Sequence, residues 1–162
     1  MKPFLSLRFQ SLVVTLLSCL VLTTACKKSG SGSDVDPRDQ YVGTYDGGYQ
    51  ASTLINNSLE SSRESGTLVI NVTKSQVDNQ LYLALTFNNT TKQNLTAELS
   101  GASFTIIDKQ KETIAFDGKS YDANYSATGQ FVTNTIAINT TAETLQAGIT
   151  ITRRGGLTGT KK

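Results

Sequence analysis

The chain has 162 residues, with 15 Lys and Arg against 13 Asp and Glu, 0 His, 0 Trp and 2 Cys. This length suits one ordinary domain, and the near-balanced charge excludes the basic footprint that nucleic acid requires. Histidine is the usual general base and the commonest transition-metal ligand, so the sequence assigns no catalytic residue, no metal and no cofactor, and reads as a non-enzyme. Asp46, Asp108, Asp117 and Asp122 show no paired spacing that would separate an acid from a base, and read as turn residues.

In chain order, Lys2 and Arg8 precede an uncharged run from Phe9 to Ala25, which ends in Leu22-Thr23-Thr24-Ala25 immediately before Cys26. A basic start, an apolar middle and a small residue at the cut are the parts of a secretory signal. A transmembrane anchor needs roughly 20 apolar residues; this run is shorter and is interrupted by Gln10, Ser11, Thr15 and Ser18. A cysteine directly after such a cut resembles the lipobox of bacterial lipoproteins. The resemblance implies removal of residues 1–25 and acylation of the Cys26 thiol, a palmitate-type membrane anchor. Cys19 falls within the removed segment, which leaves no cysteine pair for a disulfide. Lys27 follows Cys26 where Asp would signal inner-membrane retention in Gram-negative sorting, so the resemblance favours the outer membrane, facing either periplasm or exterior.

Residues 26–35, with Ser29-Gly30-Ser31-Gly32-Ser33, read as a flexible tether. Asp36-Pro37-Arg38-Asp39 predicts one helical turn with Asp36 as N-cap and Pro37 at the first helical position.

From Gln40 the periodicity is that of strands. Leu68/Ile70/Val72, Leu81/Leu83/Leu85/Phe87, Leu95/Ala97/Leu99, Phe104/Ile106, Ile114/Phe116, Tyr121/Ala123/Tyr125/Ala127, Phe131 through Ile138 and Ile149/Ile151 place apolar residues at every second position. Thr, Ser and Asn occupy the opposite face, the pattern of half-buried antiparallel strands. Turn signals stand at Asp78-Asn79, Asn88-Asn89, Gly101, Asp117-Gly118, Gly129 and Gln146-Ala147-Gly148. Eight or so short strands with no room for crossover helices predict an all-β antiparallel up-and-down barrel over 36–157, or alternatively a two-sheet β-sandwich, with 158–162 a polar tail. The polar stretch Ser52 to Glu64 is open to three readings: a long loop, a helix across a barrel mouth, or an extension of the first hairpin. Asn-x-Ser/Thr triplets, among them those at Asn71 and Asn94, read as by-products of Thr- and Asn-rich exposed faces.

The first strand reads Tyr41-Val42-Gly43-Thr44-Tyr45, and the last ends Ile149-Thr150-Ile151-Thr152-Arg153-Arg154. A short turn leading into Gly-x-aromatic resembles the opening of lipocalins and fatty-acid-binding proteins. The resemblance implies that the aromatic plugs the closed end of a barrel against a basic residue of the last strand. It assigns Gly43, Tyr45 and Arg153 to that barrel end, with Tyr45 and Arg153 in cation–π contact. Parity puts Arg153 on the inward face with Ile149 and Ile151. Phe87, Phe104, Tyr121 and Tyr125 are the candidate lining of a ligand pocket. The expected partners are a small apolar or amphipathic ligand and the membrane. The alternative is a non-catalytic module of the cell envelope that contacts another protein or a glycan.

Overall fold

Alternating apolar and polar side chains bury one face of each strand, and nine strands result: β1 Gly43–Ile55, β2 Leu59–Lys74, β3 Gln80–Phe87, β4 Thr91–Ser100, β5 Ser103–Ile106, β6 Lys111–Phe116, β7 Lys119–Val132, β8 Thr135–Gln146 and β9 Ile149–Lys161. They come from a computed structural model, which describes residues 35–162. The signal segment 1–25, Cys26 and all but the end of the 26–35 tether lie outside the described residues. Asp36–Lys162 forms one compact unit.

The sheet runs β5-β4-β3-β2-β1-β9-β8-β7-β6, and a further β5–β7 pairing closes it. Eight antiparallel strands thus make a barrel, and β6 extends it as a ninth. The sandwich alternative is thereby set aside. Inward positions carry the core. Leu68, Ile70, Val72, Leu81, Leu83, Leu85, Ile136 and Ile138 are at most 1% exposed, each contributing on the order of 1.5–3 kcal/mol by burial.

Of the three readings of Ser52 to Glu64, the extension of the first hairpin holds: β1 and β2 pair from Gly43↔Val72 to Ile55↔Leu59, with one shift of register between Thr53 and Leu54. Several expectations need correction. Strands are longer than the alternation alone suggests: β2 has 16 residues and β7 has 14. The supposed polar tail is strand, since Thr158, Gly159 and Thr160 pair with β1 on one side and β8 on the other. Gly129 is no turn but lies within β7, where a Cβ would overlap the Phe104 ring. The β7–β8 turn lies at Thr133-Asn134 instead, with Thr133 at φ 53.

The barrel closes over only part of its height. β5 pairs with β4 and with β7 at Ser103–Thr105. After Ile106 the chain departs from β4, its last link being Ile107 N donating to Thr96 O at 3.0 Å. β6 then continues along β7 alone. On the other flank, β3 follows β2 no further than Leu68↔Phe87. Among the described residues no strand pairs with Leu59–Gly66 on the side away from β1. The upper part is therefore a curved six-stranded trough, β2-β1-β9-β8-β7-β6, open above the short β3–β4 hairpin.

Candidate functional site: a cavity at the open end of the barrel

The two barrel ends differ because of what their inward residues are. At the end where β1 begins, Phe131 gathers Tyr41 (stacked, 4.4 Å between centroids), Phe104 (5.1 Å) and Tyr45 (6.1 Å). Tyr45 is 1% exposed and donates its hydroxyl to Tyr41 O at 2.8 Å. Burial pushes its phenol above the ordinary range. Gly43 adopts φ +145 beside the Lys161 side chain, so the first strand starts on a backbone that only glycine takes easily. This end is filled with side chains.

The arginine of the closed end is not Arg153. Register places Tyr45 opposite Lys161 and Thr53 opposite Arg153, so Arg153 lies eight residues further along β9, towards the other end. The expected Tyr45–Arg153 pairing is thus absent: parity put Arg153 inside correctly, but not its height. Arg38 of the N-terminal turn serves the closed end instead. Its Nη1 donates to Ser75 O at 3.0 Å, Val77 O at 2.7 Å and Gln80 O at 3.2 Å, capping the β2–β3 turn. The Asp36 carboxylate receives Arg38 Nε and Nη2 and also the Arg38 backbone N, at 2.9 Å. Asp36 therefore caps as expected, although the segment is a turn and not a helix. These bonds hold the Asp36 carboxyl well below the usual range, and Lys74 assists. Nothing in the alternation singles out Arg38; the only signal is an arginine placed two residues after a capping aspartate.

At the open end the inward side chains leave a cavity of about 290 Å³. Its floor is Leu85, Leu95, Ile138 and Leu157, and its walls include Tyr49, Phe87 and Tyr125. Tyr49 meets Phe87 edge-on at 5.1 Å. Asn88 fastens the β3–β4 turn to the wall: its Oδ1 accepts from Thr67 N at 3.0 Å and its Nδ2 donates to Tyr49 Oη at 3.0 Å. Gly66 permits this, because a Cβ there would overlap Asn88 Oδ1 and approach Tyr49 Cε1 to 2.8 Å.

The rim is charged. Arg153 forms ion pairs with Glu64 of β2 and with Glu112 of β6, the two strands whose edges flank the opening. Lys109 pairs with Glu112 at 2.7 Å and sits 4.1 Å above the Tyr125 ring. Burial first, then the charges of Glu112 and Asp108, pushes the Tyr125 phenol well above its ordinary value. The rim thus alternates in sign, Glu64–Arg153–Glu112–Lys109, over an apolar floor. Such a site can hold a molecule with an apolar body and a polar end; it presents no nucleophile paired with a base.

Of the four aromatics expected to line a pocket, Phe87 and Tyr125 do so. Phe104 does not: it packs at the closed end against Phe131. Tyr121 does not line it either, packing against a second small core of Ile114, Ala123, Ala142 and Ile151 under β6. Glu64 and Glu112 are the rim residues that alternation could not reveal, because their common partner stands on a third strand.

No family model matches the chain, and no curated protein matches it. Among solved structures, a protein of unknown function from the DUF3598 family of Nostoc punctiforme PCC 73102 has 12% sequence identity and a TM-score of 0.44, with 76% of this chain and 48% of that chain covered. A Trp-176-Ala mutant of Transferrin Binding Protein B from Haemophilus parasuis Hp5 has 12% identity and a TM-score of 0.40, with 74% of this chain and 26% of that chain covered. The chain spans less than half the length of either.

Proposed function

We propose that this chain is a lipid-anchored protein of the bacterial cell envelope, favouring the outer membrane, whose barrel binds one small amphipathic ligand. The cavity at the open end carries this reading. Its volume of about 290 Å³ lies at the small end of known ligand sites, so the ligand is a compact molecule and not a long chain. The apolar part rests on Leu85, Leu95, Ile138 and Leu157, and the polar part meets Arg153, Glu112 and Lys109. The protein acts as a binder and not a catalyst, since the rim carboxylates are matched by cations and the sequence supplies no histidine. Anchoring rests on Cys26 behind its apolar leader.

Two experiments test this. Titration of the full-length protein with an anilinonaphthalene sulfonate dye gives saturable fluorescence that Ala51→Phe, which fills the cavity, removes. Equal fluorescence from a folded Ala51→Phe protein rejects the cavity as the site. Mass spectrometry of the protein from its native host finds Cys26 as the acylated first residue; an unacylated mature chain, or one cut elsewhere, rejects the anchor.

A further inference from the structure

The outer face of β2–β4 carries a regular grid that the cavity does not use. On β2, Asn71 and Thr73 stand opposite Ala84 and Tyr82 of β3, and these stand opposite Asn94 and Thr96 of β4. Two rungs result, Asn71–Ala84–Asn94 and Thr73–Tyr82–Thr96. The two Asn-x-Thr triplets thus have a structural consequence: period two puts each amide and hydroxyl on one face, and register sets both triplets beside one tyrosine. Tyr82 is 47% exposed, and its neighbours Thr73, Thr96 and Ala84 are short, so the ring face stands clear. Asn71 and Asn94 are separated by two strand spacings, about 10 Å, with only the Ala84 methyl between them. The Thr44 hydroxyl donates to Asn71 Oδ1 at 3.1 Å, which turns the Asn71 amino group outward as a donor. Asp108 is the one charged residue lining this hollow.

We propose that this grid binds a neutral saccharide. The negative face of the Tyr82 ring attracts the polarised C–H groups of a sugar face. The two amides supply donors and acceptors at either side, and Asp108 accepts from hydroxyls. An acidic sugar meets the Asp108 charge, the one charge lining the hollow; Lys92, on the same face two residues before Asn94, lies outside that lining. A protein partner fits less well, because interfaces of about 800 Å² per partner are built around an apolar centre, whereas the grid offers one ring among amides and hydroxyls. The site lies on the opposite side of the sheet wall from the cavity and does not depend on the ligand proposed there.

The test is a titration of the isotope-labelled full-length protein, held in a detergent without sugar groups, with cellotriose, chitotriose and, as the acidic control, trigalacturonate. At least one neutral trisaccharide binds with a millimolar dissociation constant and shifts the side-chain amide signals of Asn71 and Asn94. Tyr82→Ala weakens this about tenfold or more, Tyr82→Phe leaves it within about threefold, and Ala84→Arg abolishes it. Both positions line the hollow on the outer face, and unchanged unfolding midpoints confirm that the variants fold. Three results would overturn the proposal: neither neutral sugar binds; trigalacturonate binds as well as they do; or binding persists in folded Tyr82→Ala and Ala84→Arg. A protein captured through this face by a chain that binds no sugar would overturn it equally.

Discussion

The Arg153 guanidinium and the Glu112 carboxylate form an ion pair across 41 residues of sequence, from strands that share no hydrogen-bonded register. Glu112 is 15% exposed, whereas the second partner, Glu64, is 50% exposed. Exposed pairs are worth little, so most of the coupling should lie with Glu112. A double-mutant cycle is expected to give about 1 kcal/mol for Arg153→Ala with Glu112→Gln and near zero for Arg153→Ala with Glu64→Gln. Arg154→Ala, at an exposed position, should change stability by less than about 0.5 kcal/mol. Chemical denaturation of each variant measures these differences; a larger coupling to Glu64 than to Glu112 would contradict the geometry.

Acid should loosen the closed end. The Asp36 carboxyl is held low by hydrogen bonds from Arg38. Its stabilising contribution is therefore complete above the unfolded value of about 3.9 and disappears as the pH falls through the folded value. The unfolding midpoint of the wild type should drop below about pH 4, and Asp36→Asn should flatten that drop while lowering the midpoint at neutral pH. Arg38→Lys should fail to restore the turn, because one ammonium cannot reproduce the guanidinium fork that serves Asp36 and three carbonyls together.

Alkali acts on raised phenols at both ends, Tyr45 at the closed one and Tyr125 at the open one. Burial and two neighbouring carboxylates raise the Tyr125 phenol in the folded state, so the unfolded chain releases that proton first. Stability supplied by Tyr125 is whole below the unfolded value of about 10 and is lost as the pH rises past it. Tyr125→Phe should reduce the slope of stability against pH in that window. An unchanged slope would place the phenol in water.

Two glycines give opposite results on alanine substitution. At Gly129 a Cβ would overlap the Phe104 ring and lie 2.7 Å from Ala137 O; Gly129→Ala should cost about 1–3 kcal/mol through overpacking. At Gly156 nothing lies within 4 Å of an added Cβ, so Gly156→Ala should be neutral or stabilising by up to about 1 kcal/mol. Thermal unfolding distinguishes them. Equal shifts would show that the Phe104 ring does not seat on Gly129.

The sequence by itself determined which faces turn inward. Leu68, Ile70 and Val72, or Leu81, Leu83 and Leu85, reveal their face because alternation is a property of a single strand and needs no partner. For the same reason Arg153 could be placed inside. Its height could not, since height depends on how β9 slides against β1, and many residues share that non-local register. Gly129 was misread because a glycine beneath an aromatic ring looks, in sequence, like a glycine in a turn. Tertiary pairing alone decided that β5 bridges β4 and β7 while β6 leaves β4. That departure opens one end of the barrel, and it brings Glu64, Arg153, Glu112 and Lys109 together from separate parts of the chain. Closure, cavity and rim follow from contacts between distant segments, whose energies belong to the pairs and not to any local pattern.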